Sequence, residues 1–216
     1  MISKFKRIEE LWKEIDEHLQ QTTDLYVIGG VVLVYQELKP ATKDIDIIIP
    51  TKESYHLLIQ TLKKIAFSEK HPLGAYTKLQ TSGIFEKEDY RLDIFLKMVC
   101  NKLQLSNAMM KRAKPIFNGK KLTVYHCANE DIFLFKSMTE REGDLEDNIA
   151  LAKTGLKWDV IKNEILSQIT QSNEDVWITW IGERFDLLID KGIFIPIMDE
   201  INILRDSYFE SIEKSK

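Results

Sequence analysis

Three aspartates lie in two segments whose sequences alternate between polar and apolar residues, and their carboxylates are candidate ligands for metal ions. Asp44 and Asp46 are separated by one residue in Asp-Ile-Asp-Ile-Ile-Ile, and Asp93 lies in Arg-Leu-Asp-Ile-Phe-Leu. Because side chains alternate between the two faces of a strand, Asp44 and Asp46 are predicted to project to the same side. With the two strands side by side, three carboxylates would converge, and cations would have to offset their repulsion. Two Mg²⁺ ions about 3.5–4 Å apart would do so and would stabilise both oxygens of an in-line phosphoryl displacement.

A glycine pair supplies a second candidate element. Gly29 and Gly30 follow a short apolar segment and precede a second one, so they are predicted to form a turn from a strand into a helix. Backbone N–H groups of such a turn can approach phosphate oxygens because no Cβ is in the way. Each feature alone has a plain structural explanation: a simple turn, a surface pair between Lys43 and Asp44, an aspartate at a strand edge. Their order along the chain favours the functional interpretation.

These residues resemble the nucleotidyltransferase superfamily with the DNA polymerase β-type fold. Its pattern is a hydrophobic-Gly-Gly/Ser turn, a spacer, Asp-x-Asp and a distal Asp. Here the match runs from Tyr26-Val-Ile-Gly-Gly through Asp44-Ile-Asp-Ile to Asp93, and it covers residues 24–97. Thr42-Lys-Asp-Ile-Asp-Ile is similar to the minimal prokaryotic branch that includes the type IV abortive-infection toxin nucleotidyltransferases.

The resemblance implies transfer of a nucleoside monophosphate from an NTP to an acceptor hydroxyl, with release of pyrophosphate. Asp44 and Asp46 would hold two Mg²⁺ ions, and Asp93 would complete the acceptor-side metal site and help to deprotonate the hydroxyl. Gly29 and Gly30 would cradle the β- and γ-phosphates. Lys43 would be a further contact to the nucleotide. The toxin-like branch also implies a cognate antitoxin as a partner.

A second run of charged residues follows the proposed catalytic part. Lys136, Arg141, Asp144 and Asp147 are similar to a Lys…Arg…Asp…Asp run in toxin-like members. In this interpretation Lys136 and Arg141 offset the charge of the triphosphate. The alternative is a surface ladder of ion pairs, Lys136 with Glu140 and Arg141 with Asp144.

The identity of the acceptor is left open by the sequence. No acid occurs between Asp93 and Glu130, whereas seven basic residues do: Lys97, Lys102, Lys111, Arg112, Lys114, Lys120 and Lys121. This basic segment is either a track for a polyanion such as tRNA or a solvated face. A small-molecule acceptor, as in the antibiotic adenylyltransferases, is the second possibility. A protein of the same fold that binds a nucleotide or a partner without turnover is the third.

The composition fits a folded protein. The chain has 216 residues, of which 44% are hydrophobic, with a formal net charge of -4, which excludes a disordered chain. No apolar run approaches the roughly 18–20 residues that span a bilayer. Charged residues are spread through the first ten positions, which lack the apolar core of a signal peptide, so a cytoplasmic location is expected. Cys100 and Cys127 form no metal-binding or disulfide framework.

The periodicity of apolar residues predicts the helices and strands that carry these side chains. Helices are predicted at 5–20, 31–38, 51–66 and 103–114, and strands at 25–28, 44–49, 75–80, 83–88, 91–97 and 121–125. From Asn129 onward the apolar spacing is helical, and four aromatic residues are predicted to be core: Trp158, Trp177, Trp180 and Phe185. The predicted fold is α+β. A nucleotidyltransferase-type mixed sheet with flanking helices occupies residues 1–127, and a helical bundle occupies residues 128–216.

Overall fold

A computed structural model describes residues 5–71, 81–172 and 175–214 of the chain. The chain divides into two compact units, Met1–Ala128 and Asn129–Lys216. The helices of the first unit are α1 (Phe5–His18), α2 (Gly30–Tyr35), α3 (Lys52–Lys64) and α4 (Asn107–Arg112). Its strands are β1 (Thr23–Val27), β2 (Ile45–Ile49), β3 (Ser68–Lys70), β4 (Gly83–Lys87), β5 (Tyr90–Leu96), β6 (Met98–Val99), β7 (Leu103–Gln104), β8 (Lys114–Asn118) and β9 (Leu122–His126).

Seven of these strands form one mixed sheet in the order β3-β4-β5-β2-β1-β9-β8, while β6 and β7 form a separate small hairpin. The pairs β1–β9 and β2–β5 are parallel, and β1–β2 is antiparallel. Every residue of β2 is buried, including Asp46, which agrees with the apolar run that follows Asp46 and with the central place of β2 in the sheet. The predicted α+β class with a mixed sheet and flanking helices is confirmed.

The flanking helices begin and end where local sequence dictates. The apolar stripe of α1 is buried at Ile8, Leu11, Trp12 and Ile15, so its charged side chains occupy the opposite face. The predicted cap of α3 is confirmed, because the Thr51 hydroxyl accepts a hydrogen bond from the Ser54 backbone N–H at 3.1 Å.

The predicted helix over residues 103–114 is wrong in its extent. Residues 103–104 pair with β6, and the helix is confined to α4, whose N-cap is the Ser106 hydroxyl. Lys114 already belongs to β8, an edge strand that pairs with β9. Pro115 explains the error at the C-terminal end, since proline disfavours a helical residue before it and is tolerated in edge strands. The predicted strand at 75–80 lies outside the described residues.

The second unit is built of helices. They are α5 (Asn129–Ser137), α6 (Glu142–Ala152), α7 (Trp158–Ser172), α8 (Trp177–Asp190) and α9 (Met198–Lys214). Trp177 and Phe185 are fully buried as predicted, but Trp180 is 37% exposed, so its assignment to the core was wrong. Within the described ranges, no helix combines the length and the apolar character needed to cross a membrane.

Candidate active site

Asp46 and Asp93 occupy directly paired positions on the neighbouring parallel strands β2 and β5. Paired residues of adjacent strands project from the same face of a sheet, so the two carboxylates lie side by side. Asp46 is only 7% exposed, and Asp93 is fully buried. Buried carboxylates need positive charge or hydrogen-bond donors around them, because their desolvation is costly. The pair is therefore an acidic feature inside the sheet rather than a solvated strand end.

Gly29 lies against the Asp46 carboxylate. A Cβ added at Gly29 would fall 2.7 Å from the Asp46 Cβ and closer still to its carboxylate oxygen. The backbone of the turn is also tied to β2, since the Ile28 N–H donates to the Asp46 carbonyl at 3.1 Å. Gly29 has φ -105°, a conformation open to any residue. The glycine is therefore required by space and not by backbone strain.

Gly30 lies against a different side chain, that of Thr42. A Cβ at this position would fall 2.6 Å from the Thr42 hydroxyl oxygen and 3.8 Å from the Lys39 ammonium. The Thr42 hydroxyl donates a hydrogen bond to the Asp44 carbonyl at 3.1 Å. Thr42 thus connects the first residue of α2 with the segment that leads into β2. Sequence reasoning did not assign roles to Thr42 or Lys39, although Thr42 stands within the matched motif.

Asp44 and Lys43 lie just before β2. Asp44 is half-buried and Lys43 is exposed. Across the described residues, no group of three or more His, Cys, Asp and Glu side chains is placed so that it could hold a metal ion. The structure thus pairs two of the three predicted carboxylates, and the convergence of Asp44 with them stays a prediction.

Arg91 holds the buried Asp93. Its Nε lies 2.8 Å from Asp93 Oδ1 and its second terminal nitrogen 3.3 Å from Oδ2. The two residues are two apart on β5, so their side chains share one face. The sequence also allowed Asp93 to be an exposed aspartate at a strand edge. The structure differs, because Asp93 is fully buried in a strand that has a neighbouring strand on each side.

Two tyrosines share the face that carries Asp46. Tyr26 is paired with Ile48, two residues beyond Asp46, and with Tyr125 on β9. The Tyr26 and Tyr125 rings are stacked with centroids 5.1 Å apart. Burial raises the pKa of Tyr26 to about 12, so its hydroxyl stays protonated at neutral pH. This row packs the sheet beside the carboxylates, and the period-two pattern of β1 and β9 is the signal that locates it.

The second unit places Lys136, Asp144 and Asp147 in one buried cluster. The Lys136 ammonium lies 2.8 Å from Asp144 Oδ1 and 2.7 Å from Asp147 Oδ2. Lys136 is only 6% exposed, so the surface-ladder alternative is wrong for this lysine. Arg141 does pair with Asp144, at 2.7 Å, from the N-cap position of α6. The cluster ties the end of α5 to the start of α6.

A buried arginine side chain contacts the backbone of the bend between α5 and α6. Buried Arg184 on α8 donates to the backbone carbonyl of Thr139 and, at 3.4 Å, to that of Arg141. The Thr139 hydroxyl donates to Asp144 Oδ2 at 2.5 Å. Sequence reasoning missed Arg184, which lies in an amphipathic helix without a recognisable motif.

The basic segment has no acidic residue in its own sequence, but in the structure an aspartate from α1 contacts it. The Asp16 carboxylate of α1 accepts backbone hydrogen bonds from Lys120, Lys121 and Leu122 at 3.0, 2.7 and 2.7 Å. The Lys121 ammonium is also engaged, by the Leu19 carbonyl at 2.7 Å. The exposed members of the segment include Lys111 at the end of α4.

Comparison with family models shows the family of the chain. The model of a family described as nucleotidyltransferases of unknown function (DUF6036) matches residues 3–186, so the chain belongs to that nucleotidyltransferase family. The resemblance to the superfamily is thereby confirmed. No curated protein is significantly similar to the chain. Among solved structures, the chain is similar to that of ANT(2")-Ia in complex with adenylyl-2"-tobramycin, with a TM-score of 0.49 and 13% identity over 77% of this chain and 96% of that one.

Proposed function

We propose that this nucleotidyltransferase transfers a nucleoside monophosphate from an NTP to an acceptor hydroxyl and releases pyrophosphate. The observation that carries the proposal is the buried pair of Asp46 and Asp93 on adjacent strands, with Gly29 against the first carboxylate. A structural acid pair would have little reason to be placed beside a turn that leaves no room for a side chain. A phosphate-binding turn next to metal-binding carboxylates accounts for both.

The residues present fit a divalent cation of the Mg²⁺ type. The donors are carboxylate oxygens, which Mg²⁺ prefers, and one or two carboxylates are the usual protein share beside phosphate oxygens. Because Gly29 has no Cβ, the Asp46 carboxylate can occupy the space next to the turn. Asp44, Asp46 and Asp93 would hold the metal, which when bound would polarise the phosphoryl oxygens and lower the pKa of the attacking hydroxyl.

The remaining work of the site is positioning. Gly29 and Gly30 are proposed to hold the β- and γ-phosphates through backbone N–H groups, and exposed Lys43 to add a positive charge. Asp93 is proposed to accept the proton of the acceptor hydroxyl. Phosphoryl transfer relies largely on such orientation and charge compensation.

Lys136 and Arg141 are proposed to contribute positive charge for the triphosphate. Arg141, whose side chain is 31% exposed, can do so while keeping its Asp144 contact. Lys136 already has two carboxylate partners, so a phosphate would have to replace one of them. The two residues therefore predict different phenotypes: Arg141→Gln weakens NTP binding, and Lys136→Gln mainly destabilises the second unit.

The acceptor is proposed to be RNA, with a small hydroxylated molecule as the alternative. Exposed Lys111 and its neighbour Arg112 are the support for RNA. Single-stranded contacts give a log–log salt slope of about -0.7 each. Reversing both residues to Glu should flatten the slope of RNA binding and leave NTP binding unchanged. An unchanged slope favours the small-molecule acceptor.

Nucleotide binding tests the proposal at its first step. Melting curves are recorded with each of the four NTPs, with and without Mg²⁺. A ligand at 100 times its dissociation constant adds about 2.7 kcal/mol to the free energy of unfolding. We expect a Mg²⁺-dependent rise in the melting temperature with at least one NTP, and its loss in Asp46→Asn. Asp89→Asn, in an exposed pair with Arg7 at 3.3 Å, is the matched control. No shift with any NTP would leave a partner-binding protein as the better account.

A further inference from the structure

We propose that Arg91 is a positioning residue that occupies the Asp93 carboxylate until a divalent cation displaces it. The inference rests on the proposed function, because it concerns the same carboxylates. It adds a residue that the superfamily pattern does not include, and it assigns that residue a role in cation affinity.

The contacts of Arg91 reach both oxygens of Asp93. Nε lies 2.8 Å from Oδ1, and the terminal nitrogen lies 3.3 Å from Oδ2. This two-point contact is the strong form of the arginine–carboxylate interaction. Because Asp93 is fully buried, its charge needs such compensation when no cation is present. The guanidinium therefore compensates the negative charge of Asp93, as a bound metal ion would.

A guanidinium and a divalent cation compete for this carboxylate. Both are positive, and both use the oxygen lone pairs that point away from the carboxyl carbon. The Arg91 side chain is 26% exposed, so it has room to withdraw from Asp93. Cation binding is thus coupled to movement of Arg91. The free energy of breaking the Arg91–Asp93 pair lowers the affinity of the site for the cation.

Glu86 provides a second place for the displaced guanidinium. It is the direct partner of Arg91 on the antiparallel strand β4. Its carboxylate lies 3.9 Å from the other terminal nitrogen of Arg91. Arg91 therefore lies between two carboxylates, one buried and one near solvent. Moving towards Glu86 would free the Asp93 oxygens without leaving the arginine charge uncompensated.

Two substitutions are expected to act in opposite directions. Arg91→Gln removes the competing charge and should strengthen cation binding. Glu86→Gln removes the alternative partner, keeps Arg91 on Asp93 and should weaken cation binding. A charge within about 4–6 Å commonly changes such equilibria by tenfold or more, so we expect about a tenfold gain in the first variant. Arg91→Lys keeps the charge but loses the two-point contact, so it separates displacement of the guanidinium from the general effect of local charge.

The experiment measures Mn²⁺ affinity of the full chain without nucleotide by the electron paramagnetic resonance signal of the free ion. With a saturating NTP, which itself binds Mn²⁺, binding to the protein is measured by water-proton relaxation against a protein-free sample of Mn²⁺ and NTP. Variants are Arg91→Gln, Arg91→Lys and Glu86→Gln. Arg205→Gln is the matched control, because Arg205 pairs with Asp186 at 2.9 Å and its side chain is 22% exposed. Melting curves are recorded in parallel with and without Mn²⁺.

The expected result is tighter Mn²⁺ binding in Arg91→Gln, weaker binding in Glu86→Gln and no change in Arg205→Gln. Arg91→Gln should also melt at a lower temperature than the wild type without cation and recover with Mn²⁺. Should Arg91→Gln not fold, Arg91→Lys tests the same point, since it keeps the charge but loses the two-point contact, and it should bind Mn²⁺ more tightly than the wild type.

Unchanged or weaker Mn²⁺ binding in both Arg91 variants, with normal binding in the wild type, overturns this inference alone. Loss of NTP affinity with unchanged Mn²⁺ affinity would do the same and would make Arg91 a nucleotide contact. If the wild type and all variants bind no Mn²⁺ even with NTP, the proposed function fails as well, so the two failures are distinguishable.

Discussion

The carboxylate of Asp46 lies in the space that a side chain at Gly29 would need. Through this contact the phosphate-binding turn and the metal-binding strand of the proposed site are fixed relative to each other. The contact is steric and local, and it requires no unusual backbone conformation at the glycine. It therefore offers a direct way to disturb the site with one methyl group.

Gly29→Ala should displace the Asp46 carboxylate or the turn. Forcing a methyl group into a filled space costs about 1–3 kcal/mol, and NTP binding should be lost even where the protein folds. Urea unfolding and NTP-dependent melting measure the two effects. Gly143→Ala is the control, because a Cβ there meets nothing within 4 Å, and it should be neutral or stabilising by up to about 1 kcal/mol. Equal behaviour of the two variants would contradict the account of Gly29.

The buried cluster of the second unit predicts a dependence of stability on pH. Burial raises the pKa of Asp144, but the charges of Lys136 and Arg141 outweigh it and hold that pKa well below its ordinary value of 3.8. A carboxyl with a lowered folded pKa stabilises the protein above its unfolded pKa, and this contribution is lost as pH falls towards the folded pKa. The wild type should therefore lose unfolding free energy as the pH falls below about 4.

Arg141→Gln tests this origin. It removes one charge from Asp144 and should cost about 1–2 kcal/mol at pH 7. Because the pKa of Asp144 then rises towards its ordinary value, the difference from wild type should shrink as the pH falls below 4. Lys214→Gln, in an exposed pair with Glu210 at 3.2 Å, should differ from wild type by less than about 0.5 kcal/mol throughout. A constant difference for Arg141→Gln across this range would refute the linkage.

The end of α3 predicts a stabilising substitution. Ala66 has φ +69°, and the Ala66 and Phe67 N–H groups donate to the Lys63 and Leu62 carbonyls at 3.2 and 2.9 Å. This is the helix-ending arrangement that favours glycine. Removing the left-handed strain of about 1–2 kcal/mol, less the added unfolded-state entropy, should leave Ala66→Gly about 0.5–1 kcal/mol more stable.

Chemical denaturation gives the comparison, with Ala150→Gly within α6 as the control. That substitution should lose about 1 kcal/mol, because no positive φ is relieved there. Destabilisation of Ala66→Gly by as much as Ala150→Gly would contradict the argument.

Much of this site was visible in the sequence because its residues are local in the chain or lie in strongly patterned strands. The period-two pattern around Asp46 and Asp93 predicted two strands, and burial of one face makes register specific. The pairing of these two residues agrees with that pattern. The α3 cap at Thr51 was likewise a local signal.

What the sequence did not reveal depends on contacts between distant or ambiguous residues. Arg91 next to Asp93 reads equally well as a surface charge until the strand is known to be internal. The burial of Lys136 by two acids of the next helix required the bend after α5. Asp16, which holds the Lys120 and Lys121 backbone from α1, is about a hundred residues away in sequence, and no periodicity indicates it.

The proposed reaction is tested most directly by transfer of label. The wild type is incubated with each α-labelled NTP, Mg²⁺ and total RNA, and in parallel with hydroxylated small molecules, beside Asp46→Asn and Asp89→Asn. We expect covalent label on an acceptor and release of pyrophosphate with the wild type and with Asp89→Asn. Asp46→Asn should lose at least about a hundredfold in rate. Two results would contradict the proposed transfer of a nucleoside monophosphate: equal pyrophosphate release by Asp46→Asn and the wild type, or no label transfer by any of the proteins under conditions where NTP binds.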